Sequence, residues 1–128
     1  MKQNQIKVLM VAPREAPQVV TLTNTLDALQ KAVSIGSDYQ GLIELFSLEA
    51  DVSILCNEEG KIIGLAPNRR LGQDILCGVF YVTGNDDEGN LTSLTDEQLA
   101  KYSALFWHPD TFEDGDVDGA VFMQFFPL

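Results

Sequence analysis

The chain is poor in the residues from which catalytic centres are most often built. It has one histidine, two cysteines and one tryptophan among 128 residues. His108 stands before Pro109 at the end of a helical pattern, with no nearby nucleophile and no third group to orient it. A nucleophilic triad needs both. Cys56 and Cys77 each lie in an apolar run, 53–56 and 75–77, and read as buried free thiols that act as small hydrophobes. Together with His108 they are too few and too far apart in sequence to supply a zinc site. No Gly-rich phosphate loop is present, because the stretch 84–89 is acidic and has the wrong spacing. The carboxylate pairs Glu58-Glu59 and Asp86-Asp87 fall in turns, where solvation accounts for them. No apolar run reaches the roughly 18 residues of a membrane span. The N-terminus passes straight from Lys2-Gln3-Asn4-Gln5 into a strand pattern, with no signal-peptide core, so the expected compartment is the cytoplasm. These absences argue against an enzyme and imply no cofactor.

Positive charge is also scarce. Eight Lys and Arg face nineteen Asp and Glu, for a net charge of −11. The imbalance is concentrated late in the chain. Residues 71–128 hold eleven carboxylates against Lys101, whereas residues 1–70 hold eight against seven bases. There is no basic stripe, and phosphate backbones would be repelled, so direct nucleic-acid binding is not expected. The partner such a surface attracts is a basic protein. Asp86, Asp87 and Glu88 in one acidic stretch and Asp114, Asp116 and Asp118 in another are the candidate interaction residues.

Periodicity gives an α+β fold: a mostly antiparallel sheet of about five or six strands with two helices. Alternation at 6–12 and again at 19–22, around Pro13 and Pro17, predicts an N-terminal hairpin. Asn24 is the expected N-cap of a helix over 25–34, with Leu26, Leu29 and Val33 as its apolar stripe and Gly36 as its stop. Strands are expected at 42–48 and 52–56. The turn 57–60 then suggests a hairpin returning through Lys61-Ile62-Ile63. Residues 64–73 read as irregular, and 75–83 as one long central strand. Ser93-Leu94-Thr95-Asp96-Glu97-Gln98 is a capping box with a hydrophobic staple, opening a helix over 96–106 that buries Leu99, Tyr102 and Phe106. One α+β domain over 1–106 is therefore expected. An acidic and then apolar extension over 107–128 would pack on the sheet or pair with it. Its run 121–126 is uncharged and aromatic-rich, an aggregation-prone profile that the preceding acids would guard.

Several of these segments carry a resemblance. The opening strand, Leu26 and Leu29, Cys56-Asn57-Glu58-Glu59-Gly60-Lys61, Gly64-Leu65, Asn68-Arg69, Gly78-Val79-Phe80-Tyr81-Val82 and Ser93-Leu94-Thr95 together resemble a bacterial family of small acidic proteins, a domain of unknown function. The resemblance covers about residues 6–106. It implies a setting on conjugative and other mobile elements, sometimes beside antirestriction proteins, and no catalytic residues.

Two short motifs give an alternative, a small-ligand or cation-binding domain. Asp114-Gly115-Asp116-Val117-Asp118-Gly119 reproduces the opening of a calcium loop, with Asp114, Asp116 and Asp118 as candidate metal ligands. Phe125 stands where the closing bidentate Glu belongs, so weak binding or none is expected. Asn68, Arg69 and Arg70 are the candidate anion-binding residues, since two guanidinium forks in one loop would suit phosphate or carboxylate. The leading expectation is a non-enzymatic module that binds protein through its acidic surface. A DNA mimic that inhibits restriction or CRISPR machinery is its concrete form.

Overall fold

Alternating apolar residues on three strands decide the architecture. In the computed structural model, which describes residues 4–117, the strands β1 (Gln5–Val11), β4 (Val52–Asn57) and β7 (Phe80–Asn85) form the centre of a six-stranded sheet. Its order is β2-β1-β7-β4-β3, where β2 is Gln18–Thr23 and β3 is Ile43–Glu49, and the short β8 (Leu91–Thr92) also pairs with β7. Every pairing described is antiparallel. With the two helices, this is the α+β fold expected.

Both faces of the sheet are covered. Leu9, Val11, Val52, Ile54, Phe80 and Val82 point one way and pack under helix α2 (Asp96–Leu105) through Leu99, Tyr102 and Phe106. Phe80 meets Phe106 edge-on, with ring centroids 5.3 Å apart, a favoured aromatic geometry. Ile6, Val8, Leu55 and Tyr81 point the other way, under α1 (Leu26–Ala32) through Leu29 and Val33. The Tyr81 hydroxyl donates to Ala32 O at 2.9 Å and fastens the end of α1 to the sheet.

The capping box of α2 is formed as expected. Gln98 N donates to Thr95 Oγ1 at 3.1 Å, and Thr95 N donates to Gln98 Oε1 at 2.8 Å. The start of α1 falls one residue later than the sequence suggests. Thr25 is the cap and accepts from Ala28 N, while Asn24 is buried and reaches Leu91 O. Leu26 is 62% exposed, so the apolar stripe of α1 runs through Leu29, Ala32 and Val33 without it.

Three expectations are corrected. The run 75–83 is broken by Gly78, whose φ of 83° lies in the left-handed region that glycine tolerates. Before the break lies β6 (Asp74–Cys77), which belongs to a separate two-stranded sheet, and after it lies β7. Residues 64–73 are not wholly irregular, because β5 (Pro67–Leu71) is the partner of β6. The strand expected at 61–63 is absent. Residues 58–64 coil locally, with Ile63 N donating to Glu59 O and Leu65 N to Gly60 O. Gly60 lies so close under β6 that an added Cβ would sit 2.6 Å from Cys77 O. The partners of β4 are instead β3 and β7.

Beyond α2, the described part of the extension packs on the small sheet. Phe112 and Val117 lie against Leu65, Ile75 and Cys77. The run 121–126 lies outside the described residues.

Thr95→Ala removes the acceptor at the cap and should lower unfolding stability by about 1 kcal/mol. An unchanged denaturant midpoint would contradict the role given to this cap.

Candidate functional site

The Asn68-Arg69-Arg70 motif lies on β5, where the register against β6 shifts between Pro67 and Arg69, so that Asn68 and Arg69 are both buried and Arg70 is exposed. Asn68 is fully buried and Arg69 is 2% exposed. Asn68 Nδ2 donates to Val11 O at 2.8 Å and to Gly78 O at 2.9 Å. The Arg69 guanidinium makes five hydrogen bonds, all to neutral oxygens. Nε and Nη2 reach Phe106 O at 3.2 and 2.8 Å, Nη2 reaches Glu15 O at 2.6 Å, and Nη1 reaches Asn68 O at 3.3 Å and Oδ1 at 2.8 Å. An arginine has five N–H donors, so these bonds match its full capacity. Burial pulls the Arg69 pKa below its usual value, with Asp110 acting in the opposite sense. The carbonyl end of α2 provides negative potential for the cation.

Arg70 points outward. It ion-pairs with Asp116 at 3.0 Å and lies over the Phe112 ring, while its backbone N–H donates to Asp110 Oδ2 at 2.7 Å. The two guanidinium groups therefore do not converge. Arg69 is an internal tie, and the accessible cation of the pair is Arg70, already partnered.

The two acidic stretches singled out from sequence lie apart, one beyond each end of α2. At its C-terminal end, Asp110 and Asp116 hold Arg70, and Asp116 also accepts from Glu113 N at 2.8 Å. That bond and Arg70 lower the Asp116 pKa. Asp114 is exposed, and Asp118 lies outside the described residues. No group of three or more metal-ligating side chains forms among the described residues.

At the N-terminal end of α2, three chain segments meet. The β3–β4 turn brings Asp51, β7 ends at Asn85 and leads into the turn with Asp86, Asp87 and Glu88, and the first helical turn carries Asp96 and Glu97, while Glu49 lies further along α2 against Lys101 and Tyr102. Asp51 joins them: its carbonyl accepts from Asn85 N at 3.0 Å and its carboxylate from Gln98 Nε2 at 3.1 Å. Asp86 holds its own turn by accepting from Glu88 N and Asn90 N, each at 2.9 Å, and these bonds help lower its pKa. Asp87, Glu88, Asp96 and Glu97 are exposed and make no ion pair among the described residues. The base nearby is Lys101, paired with Glu49 at 2.6 Å. Glu49 and Asp51 were not among the candidates from sequence, because they come from the half of the chain with balanced charge. Their signal is conformational: a β-turn at 50–51 places them beside a capping box.

The thiols share a cleft of about 560 Å³, with Cys56 and Cys77 in its floor and Glu44, Glu58 and the Lys61–Asp74 ion pair along its sides. Both thiols are free and buried, which raises their pKa values, that of Cys56 to about 12 with a contribution from Glu44. They stay protonated at neutral pH and are poor nucleophiles there.

A family model, the domain of unknown function DUF3846, matches residues 6–107, most of the chain. The chain belongs to that family. No curated protein and no solved structure matches it.

Replacing Arg69 by Leu strands buried carbonyls at three places and should cost about 3 kcal/mol in urea unfolding. Arg70→Leu loses an exposed pair and should cost under about 1 kcal/mol. Equal costs would refute the division between the two arginines.

The raised pKa values also set a pH window. Cys56 moves from 9.0 to about 12 and Tyr81 from 10.0 to about 12, both chiefly through burial. The unfolded chain thus releases these protons first, and their stabilising effect is complete below pH 9 and lost as pH rises toward 12. Urea midpoints should be level from pH 7 to about 8.5 and fall steadily above pH 9. Cys56→Ala should make the alkaline fall shallower.

Proposed function

We propose that this member of the DUF3846 family is a non-enzymatic binding module whose acidic end engages a basic protein. The observation that carries this reading is that Asp51 is tied both to Gln98 in the first turn of α2, beside Asp96 and Glu97, and to Asn85, from which the turn with Asp86, Asp87 and Glu88 begins, while the base of that helix, Lys101, is neutralised by Glu49. Clustered surface carboxylates produce a field that steers a cationic partner and fixes its approach. In concrete form the partner is the DNA-binding groove of a restriction or CRISPR enzyme, in which these carboxylates stand in for backbone phosphates. The resemblance drawn from the sequence supplies the setting, a bacterial mobile element acting in the host cytoplasm. The alternative, a ligand held by residues 68–70 or 114–118, has weaker support. The donors of Arg69 are all engaged, and Arg70 and Asp116 are engaged with each other.

The test uses Asp87→Lys, Glu88→Lys and Glu97→Lys together, because these side chains are exposed and hold no turn. Wild type should displace a labelled duplex from a restriction or CRISPR effector, with an effect that weakens as salt rises. The triple reversal should weaken displacement by about tenfold or more while leaving the unfolding midpoint near that of wild type. Reversal of Glu113 and Asp114 at the opposite end should leave displacement intact. Absence of displacement by wild type, or equal displacement by all three proteins, would eliminate the mimic. The labelled duplex should show no polarisation change with wild type alone.

A further inference from the structure

A second cleft, of about 480 Å³, lies away from the acidic end, and its charges are arranged unlike those of the rest of the surface. Its floor is apolar, with Met10, Leu65 and Val79 at least half-buried. Its margin carries Arg14, Glu15, Asp38 and Tyr39, all exposed. Arg14 makes no ion pair with either carboxylate or with any other described residue, although it shares the cleft with two of them. By contrast Lys31, Lys61, Arg70 and Lys101 are all paired with acids. Arg14 is also the non-glycine residue found at positive φ, 64°. That conformation disfavours an arginine and is tolerated best by glycine or asparagine. Strain of this sort, observed at a cleft, is a reason to look for a ligand.

The opposite margin is held in place. The Ser37 hydroxyl donates to Tyr39 O at 2.8 Å and accepts from Tyr39 N, which fixes the short loop carrying Asp38 and the Tyr39 ring. The cleft thus presents a cation, carboxylates that the cation does not neutralise, an aromatic ring and an apolar floor. Its size is that of an ordinary small-molecule site.

We propose that this cleft binds a free α-amino acid with an apolar side chain. The ligand's carboxylate would meet Arg14 and its ammonium Asp38 or Glu15, while the side chain lies on the floor beside Tyr39. A simple anion would be opposed by two carboxylates, and a simple cation by Arg14. A zwitterion satisfies both signs. This site is independent of the acidic end.

The test is calorimetric titration of the intact protein with L-phenylalanine, its amide and its N-acetyl form. Phenylalanine should bind with a dissociation constant of about 1 mM or tighter, and each blocked form about tenfold more weakly. Arg14→Gly should abolish phenylalanine binding while raising the thermal midpoint, because glycine relieves the strain. Arg14→Asn, which also tolerates this backbone, should do the same and covers a failure of the glycine variant to fold. Asp38→Asn combined with Glu15→Gln should weaken phenylalanine but not its N-acetyl form. No binding at about 10 mM, equal binding of the three compounds, or undiminished binding by the Arg14 variants would overturn the proposal.

Discussion

Arg69 is the tie on which the arrangement of the other elements depends. Its guanidinium joins the end of α2, the β1–β2 loop and β5, and Asn68 carries the same network to the end of β1 and to the turn at Gly78. A buried cation facing only carbonyls is unusual chemistry. A carboxylate partner would give a stronger single attraction but would need its own desolvation. Carbonyl oxygens in these turns and helix ends need donors in any case, and one side chain supplies several of them at once. The small β5–β6 sheet is thereby fixed against the large one, and the positive charge sits where the α2 dipole is negative.

The legible parts of the sequence are those decided locally. Thr95 and Gln98 satisfy each other within one turn, so the start of α2 can be read from five residues. Strands β1, β3 and β4 alternate, or are continuously apolar, for reasons set by their own faces. What could not be read was decided at a distance. The break in 75–83 depends on Gly78 N meeting Ala66 O and Gly78 O meeting Asn68, ten or more residues away. Pro-Asn-Arg-Arg-Leu has little strand character, and β5 exists because its polar side chains are claimed by other elements. The sequence places Asn68 and Arg69 in an irregular loop, whereas both lie on a strand and are among the most buried side chains.

The same holds for the surface. Net charge along the sequence places the excess of acid late in the chain but is silent on which acids come together in space. Asp51, from the balanced half, is tied to Asn85 at the start of the turn with Asp86, Asp87 and Glu88, whereas Asp110 and Asp116 are taken up by Arg70 at the far end of α2. Carboxylates that look alike in sequence therefore do different work. Asp86 and Asp116 shape their own loops through backbone N–H groups, and Asp87, Glu88 and Glu97 do not.

This sorting gives the few bases their meaning. A chain at net −11 repels itself, and each base that pairs with an acid relieves part of that repulsion. Lys31, Lys61, Arg70 and Lys101 are used in this way, and a fifth base, Arg69, is spent inside. Where bases are this few, one held apart from adjacent carboxylates, on a backbone that disfavours it, runs against the electrostatic interest of the fold. Lys7 is also unpaired among the described residues, but it projects from a regular strand and carries no backbone cost. Arg14 combines both penalties at the margin of an apolar cleft. Stability alone would favour glycine there, and that is the ground on which the amino-acid site is proposed around Arg14.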